Sequence, residues 1–274
     1  MPKDRVKMPP PPKGIEKELA DMIVFMVGQI SQRFKNQVLL NLNKGTIEKF
    51  GDLDGFADAQ VGNYAAITLS LANRVKRKLK RQFANPRLES KTRNVLMKAE
   101  KYNQDRVYNP LQTITGIETA TLIAKEGLSP QVNALMIETA QWAKKLRDDT
   151  LEHFTANTLR AMTLGKPISE IIEEFDAEAL KSKTKAQFIS RNQISNFNGM
   201  STKIRHQKLG IKKGIWITAR DERVRTCHKV RDGKEFKLSQ GLFSSCDGKS
   251  LFPGQDFNCR CTYRAVDPEL EIGN

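Results

Sequence analysis

Apolar side chains between residues 15 and 43 recur at Ile15, Leu19, Met22, Ile23, Met26, Ile30, Phe34, Val38 and Leu42. That i, i+4, i+7/8 spacing lines one face of an amphipathic helix, and Lys44-Gly45 supplies its stop. A second stripe, Ile67, Leu71, Val75 and Leu79, predicts a helix over 56–83. Pro86 and Pro110 bracket a third, shorter helical stretch. Ser129 as N-cap and Pro130 at the first helical position then open a long helix. It carries Val132, Leu135, Met136, Thr139, Trp142 and Leu146 inward, reaches about Leu164, and ends at Gly165 to Pro167. A short helix over 168–175 begins near Ser169, and 184–209 reads as helical again before Gly210.

After Gly210 the period changes. Residues 214–218 and 261–266 are short, β-branched and aromatic, the marks of strands, and a loop rich in Gly, Ser, Asp and Lys separates them. The expectation is an α+β chain, mostly helical. An elongated N-terminal helical part precedes a C-terminal domain of helices plus a small antiparallel, zinc-knuckle-like β region. The expected division is a proline-rich extended arm at 1–14, a helical region at 15–120 and the C-terminal domain at 121–274. Pro9 to Pro12 give the arm polyproline II character, as a solvated tail or as a peptide that orders on a partner.

Charge sharpens this picture. The chain carries 46 Lys and Arg against 31 Asp and Glu, a formal net charge of +15. Such an excess favours phosphate-bearing partners through counterion release. Residues 74–81 concentrate it: Arg74, Lys76, Arg77, Lys78, Lys80 and Arg81 surround Val75 and Leu79 without one carboxylate. A helix C-terminus favours some cations, but this cluster exceeds a cap and points to DNA or an acidic protein surface. No stretch reaches the ~18–20 apolar residues of a membrane span, and the N-terminus lacks the apolar core of a secretory signal. Synthesis and residence in a cytoplasm follow as the expectation, and there disulfides are not the default use of cysteine.

Cys227, Cys246, Cys259 and Cys261 lie close together near the C-terminal end, with His228 beside the first. Soft thiolates with an imidazole suit tetrahedral zinc. The i, i+2 spacing of Cys259 and Cys261 puts both thiols on one face of a strand. Disulfides formed late and plain packing remain the alternatives. Trp216 reads as core. Asp221, Arg223 and Arg225 read as ion-paired loop residues, and Arg191, Asn192 and Gln193 as hydrogen-bond partners of that loop. His153 and His206 read as surface or helix-packing residues.

An ordered set of motifs runs through the C-terminal half: LIAKEGLSPQV at 122–132, GKPISEIIEEF at 165–175, FISRNQISNFNG at 188–199, GIWITARDERVRTCHKVRDGKEF at 214–236 and PGQDFNCRC at 253–261. The set resembles the phage Mu F-like minor head family over about 120–266. His228 stands five residues before Gly233, where the family pattern carries a His or Cys. Asp256 stands where members often have a His. The zinc set is therefore His228, Cys259 and Cys261, with Cys227, Cys246 or Asp256 as fourth ligand. The resemblance implies a structural head protein of a tailed phage, located in the virion at the portal vertex. Its implied partners are the portal protein, packaged double-stranded DNA and the major capsid or scaffold protein, with a role in head assembly or DNA ejection. Region 15–120 is expected to dock on the portal. No phosphate-binding loop, H-E-x-x-H or nucleophile elbow is visible, so no enzyme is expected. The alternative, a metal-dependent nuclease using His228, Asp221 and Asp256, requires harder ligands than this thiol-rich set.

Overall fold

The computed structural model describes residues 6–43, 57–115 and 130–266. Helix α1 (Lys13–Phe34) continues through one π-helical turn (Lys35–Leu39) and is followed by α2 (Ala57–Gln82), α3 (Asn85–Thr115), α4 (Pro130–Thr163) and α5 (Ile168–Lys208). Strand β1 (Lys213–Ile217), the one-turn helix α6 (Thr226–Lys229), β2 (Glu235–Lys237), β3 (Leu242–Ser244), β4 (Lys249–Leu251) and β5 (Thr262–Val266) follow in order. The chain is mostly helical, with small antiparallel sheets confined to the C-terminal region, as the change of period predicts. The expected stop at Lys44-Gly45, the cap at Ser129, most of the 122–132 motif and the division at residue 120 lie outside the described residues.

The expected breaks fail in two places. Pro110 lies inside α3 instead of ending it. A proline there costs about 3 kcal/mol, but Val107 and Tyr108 on the preceding turn are buried against Leu209 and Val6, which offsets the loss. The two stretches at 168–175 and 184–209 are one 41-residue helix. Residues 176–183 contain no Gly or Pro, and Ile171, Phe175, Ala179, Ala186 and Ile189 form its buried stripe. Alanines made that stripe faint in the sequence. In α2 the buried face includes Thr68, Ala72, Val75 and Leu79, continued by Phe83 just beyond its end, while Ile67 is 46% exposed. Trp142 is likewise exposed at 37%, and Ala143 takes the inward place.

The residues group into two compact units, each drawn from separate stretches: Ala20–Thr92 with Thr139–Ile189, and Met1–Leu19 with Arg93–Glu138 and Ser190–Asn274. Every element of the first among the described residues is helical. Its centre is a trio of rings from three helices, with Phe34 and Phe154 centroids 5.7 Å apart, Phe34 and Phe175 5.5 Å, and Phe154 and Phe175 4.6 Å.

The second unit holds the sheet, ordered β2-β1-β5 and antiparallel throughout. Gly214 faces Phe236 on one side, and Trp216 faces Tyr263 on the other. Alternation buries Trp216, Tyr263 and Ala265 with Phe236, Leu238, Phe252 and the two cysteines of the C-R-C motif. Gly214 has to be glycine, because a Cβ there would lie 2.7 Å from the Tyr263 ring.

The described part of the N-terminal arm, from Val6 on, does not hang free. Lys7 bridges Arg264, Met8 N–H donates to Tyr263 O at 2.9 Å, and Ala265 N–H donates to Val6 O at 2.9 Å. The arm thus runs antiparallel along the edge of β5 through this single bridge, and Met8 is buried in the sheet's core. Asn198 Nδ2 donates to Pro9 O at 2.7 Å and the Tyr102 hydroxyl to Pro10 O at 3.2 Å.

Helices α3 and α5 meet here through polar groups. Buried Arg205 pairs with Glu100 and donates to Asn103 Oδ1. His206 is fully buried, not superficial, with Nδ1 2.8 Å from the Tyr263 hydroxyl. Burial, then the charge of Arg205, pushes this imidazole down to about 3. Between that value and its ordinary pKa near 6.5, the unfolded chain binds a proton that the native one refuses. The stability it contributes is present above about pH 6.5 and is lost as pH falls toward 3. At pH 5 the penalty is about 2 kcal/mol. His206→Gln should therefore flatten the fall in urea-unfolding stability between pH 7 and pH 5, and an unchanged slope would show that His206 is not the group responsible.

Candidate metal centre

The centre is assembled from the two ends of the β region. Arg225, with extended backbone angles, caps the single turn of α6, which turns His228 inward until it is 3% exposed. At the other end a tight turn with Asn258 at φ 53° and Gly254 at φ 84° leads into Cys259, Arg260 and Cys261. The i, i+2 alternation holds: both thiols are buried, and Arg260 turns outward. There it grips Asp221, Nη2 to Oδ1 at 2.7 Å, and holds that carboxyl down to about 2. Helix α5 secures the turn from behind. Asn258 N–H donates to Asn192 Oδ1 at 3.0 Å, and Ser195 Oγ donates to Cys259 O at 2.9 Å.

His228 Nδ1 lies 3.6 Å from Cys259 Sγ and 3.5 Å from Cys261 Sγ. The three ligand atoms lie within 4.8 Å of one another. A tetrahedral zinc with ordinary bond lengths, Zn–S ~2.3 Å and Zn–N ~2.05 Å, requires an N···S edge of about 3.6 Å. The donors therefore stand where one ion would hold them.

The surroundings also suit a cation. His228 Nε2 is 3.0 Å from Asp256 Oδ2, which also accepts from Arg225 Nη1 at 2.7 Å. With Nε2–H donating to the carboxylate, the Nδ1 lone pair faces the two sulfurs, the carboxylate–histidine arrangement that orients a metal-binding imidazole. Two backbone N–H groups, of Gly254 and Cys261, point at Cys259 Sγ at 3.4 Å each. The Cys261 thiol, followed by His228 and these N–H groups, brings Cys259 down to about 5 against the opposing effect of burial. Cys261, which gives its proton to that bond and is itself buried, is pushed up. The bond to Cys259 raises His228 against burial, with Asp256 adding to it. One negative charge is thus already favoured in the pair, and a divalent ion would displace the second proton.

The candidate ligands do not all converge. Cys227 and Cys246 are disulfide-bonded to each other across a separation of 19 residues, so neither thiol is left to ligate. A loop of that length stabilises by about 3 kcal/mol through the unfolded chain. The cytoplasmic expectation against disulfides fails for this pair. Asp256 is not a direct ligand either, because it occupies the far side of the imidazole. Among the described residues three side chains reach the ion position.

Sequence reasoning also missed Arg231. It is 1% exposed, paired with Asp247 (Nη2 to Oδ1 2.8 Å), and its guanidinium carbon lies 5.6 Å from the Trp216 ring. Nothing in the local sequence separates it from the exposed arginines nearby. Arg191 pairs with Glu16 rather than with the loop, and His153 is exposed beside Glu178.

The basic stretch on α2 lies in the helical unit. Lys76 pairs with Glu152 at 3.0 Å and Lys78 reaches Gln37. Arg74, Arg77, Lys80 and Arg81 are exposed and have no ion pair among the described residues.

Residues 152–264 match the family model described as Phage Mu protein F like protein. This stretch contains every residue of the Cys/His centre and bears out the resemblance read from the C-terminal motifs. An uncharacterized protein of Haemophilus influenzae (strain ATCC 51907 / DSM 11121 / KW20 / Rd) is 28% identical over 199 residues, 72% of this chain and 43% of that protein. The chain therefore spans less than half the length of that relative. No solved structure matches this chain.

Zinc should co-purify with the full chain at about one ion per molecule. Cys259→Ser and Cys261→Ser should each abolish this and lower the melting temperature. Asp256→Asn should retain the ion with ~10–100-fold weaker affinity in chelator competition. Metal-free protein whose melting is indifferent to chelator would leave the donors as a hydrogen-bonded packing cluster.

Proposed function

With its C-terminal region matched to a phage head family, we propose that the chain is a minor head protein of a tailed phage. It acts inside the virion at the portal vertex, in head assembly or DNA ejection. The family match over 152–264 is the observation that carries this reading. In it, His228, Cys259 and Cys261 hold one structural zinc that ties α6 to β5. The donors are buried and rich in thiol, which suits a structural ion better than the hard, open site of a nuclease. No helix among the described residues is long and apolar enough to cross a membrane.

The helical region 15–120 docks on the portal in this reading, and exposed apolar residues such as Phe25, Ile67 and Leu69 are the kind that a partner covers. The exposed cations of 74–81 contact packaged double-stranded DNA. Contacts to capsid or scaffold protein follow from residence in the procapsid.

The experiment is to count and locate the chain in intact heads. A few copies at one vertex are expected, and absence from heads or an even distribution over the shell refutes the reading. Replacing Arg74, Arg77, Lys80 and Arg81 with Gln should weaken duplex binding. The slope of log affinity against log salt should fall by about 0.9 for each phosphate no longer neutralised. Equal binding at every salt concentration would show that this face does not meet DNA.

A further inference from the structure

We propose that a slot in the helical unit, between α1 and the corner joining α2 to α3, docks an acidic segment of a partner protein through one apolar side chain. The inference rests on the proposal that region 15–120 docks on another head component, and it names that component's chemistry.

The slot is small and apolar. Met26 and Leu88 are buried in it, Phe83 lines it from the corner, and Phe25 stands 58% exposed at its side. Its volume is about 110 Å³, well below the ~300–1,000 Å³ of small-molecule clefts and suited to a single anchoring side chain. An exposed phenylalanine beside a preformed hole is how a recognition surface begins. The corner is preorganised, because buried Arg147 donates from Nη1 to Phe83 O at 2.6 Å and to Asn85 Oδ1 at 3.0 Å.

The rim gives the sign of the partner. Arg87 and Lys91 lie one helical turn apart on α3, both exposed and lining the slot. Neither has an ion pair among the described residues, and Arg87 reaches only Gln82 O, at 3.4 Å. No lining residue is acidic. Gln82 also lines the slot. Two cations flanking an apolar hole complement carboxylates flanking an apolar side chain. DNA would satisfy the rim and leave Phe25 in water, and a second copy docking through the same face would bring Arg87 and Lys91 against their own equivalents.

The test is selection of random displayed peptides on the full chain, followed by binding measurements on the synthesised winners. Enriched peptides should combine a Leu, Phe or Met with neighbouring Asp or Glu. Their affinity should fall about tenfold or more on Arg87→Glu with Lys91→Glu and likewise on Phe25→Ala. These side chains are exposed, so melting temperatures should not change. Basic or uncharged winners, no enrichment, or binding that ignores both variants would overturn the proposal. So would a DNA duplex that loses affinity on Phe25→Ala, or a dimer of the chain abolished by it. The selection needs no phage heads, so its failure leaves the head assignment standing, and absence from heads leaves the slot's chemistry intact.

Discussion

Three kinds of group converge on the sulfur of Cys259: the backbone N–H groups of Gly254 and Cys261, the Cys261 thiol and the imidazole of His228. Much of the β region takes its position from that convergence. The turn at 254–258 is shaped around the sulfur, and β5 leaves from it. Helix α6 has a single turn and makes no core of its own, so His228 is its main hold on the centre. With strands of three to five residues, the sheet has little ladder to rely on. Its order comes from cross-connections: the thiol–imidazole cluster, the Cys227–Cys246 link, and Arg231 bound to Asp247 and to the Leu242 and Lys249 carbonyls.

What the sequence revealed and what it hid divide along physical lines. Periodic apolar stripes report burial, so α1 and α4 were legible, as were the two longer strands of the sheet. Breakers report only a local cost. Pro110 could not stop α3, because burial of the turn before it outweighs one lost hydrogen bond. The join within α5 was invisible because its buried residues there include small alanines. At the candidate metal centre, strand alternation was enough to place Cys259 and Cys261 together, and the Asp221 ion pairing was legible from charge. The pairing of Cys227 with Cys246 and the position of Asp256 behind His228 depend on where a long loop returns, which no local pattern encodes. What the arm packs against was hidden for the same reason, since prolines and charges describe its conformation and say nothing of the strand it lies beside.

The distribution of charge follows from how the interior treats arginine. Arg147, Arg205 and Arg231 are buried, and each is met by a carboxylate and by amide or carbonyl oxygens. An unpaired charge in such positions would be strongly destabilising, so these groups add nothing to the protein's external field. Among the described residues the exposed cations are densest on α2, where Arg74, Arg77, Lys78, Lys80 and Arg81 are all exposed. A polyanion would meet them directly, with little rearrangement of the fold.

The pairing of Val6 to Met8 with Tyr263 to Ala265 bears on the order of events during synthesis. These partners stand very far apart in sequence, so the strand that leaves the ribosome early must wait for one that leaves much later. Until then Met8 has no pocket, and β5's free edge is not yet covered. Closing so long a loop is an entropic cost met late, and topologies dominated by such distant contacts fold slowly. The helical unit, complete once Ile189 has emerged, can be in place well before the sheet closes. A chain cut short before β5 would retain that unit and leave the arm without its partner strand.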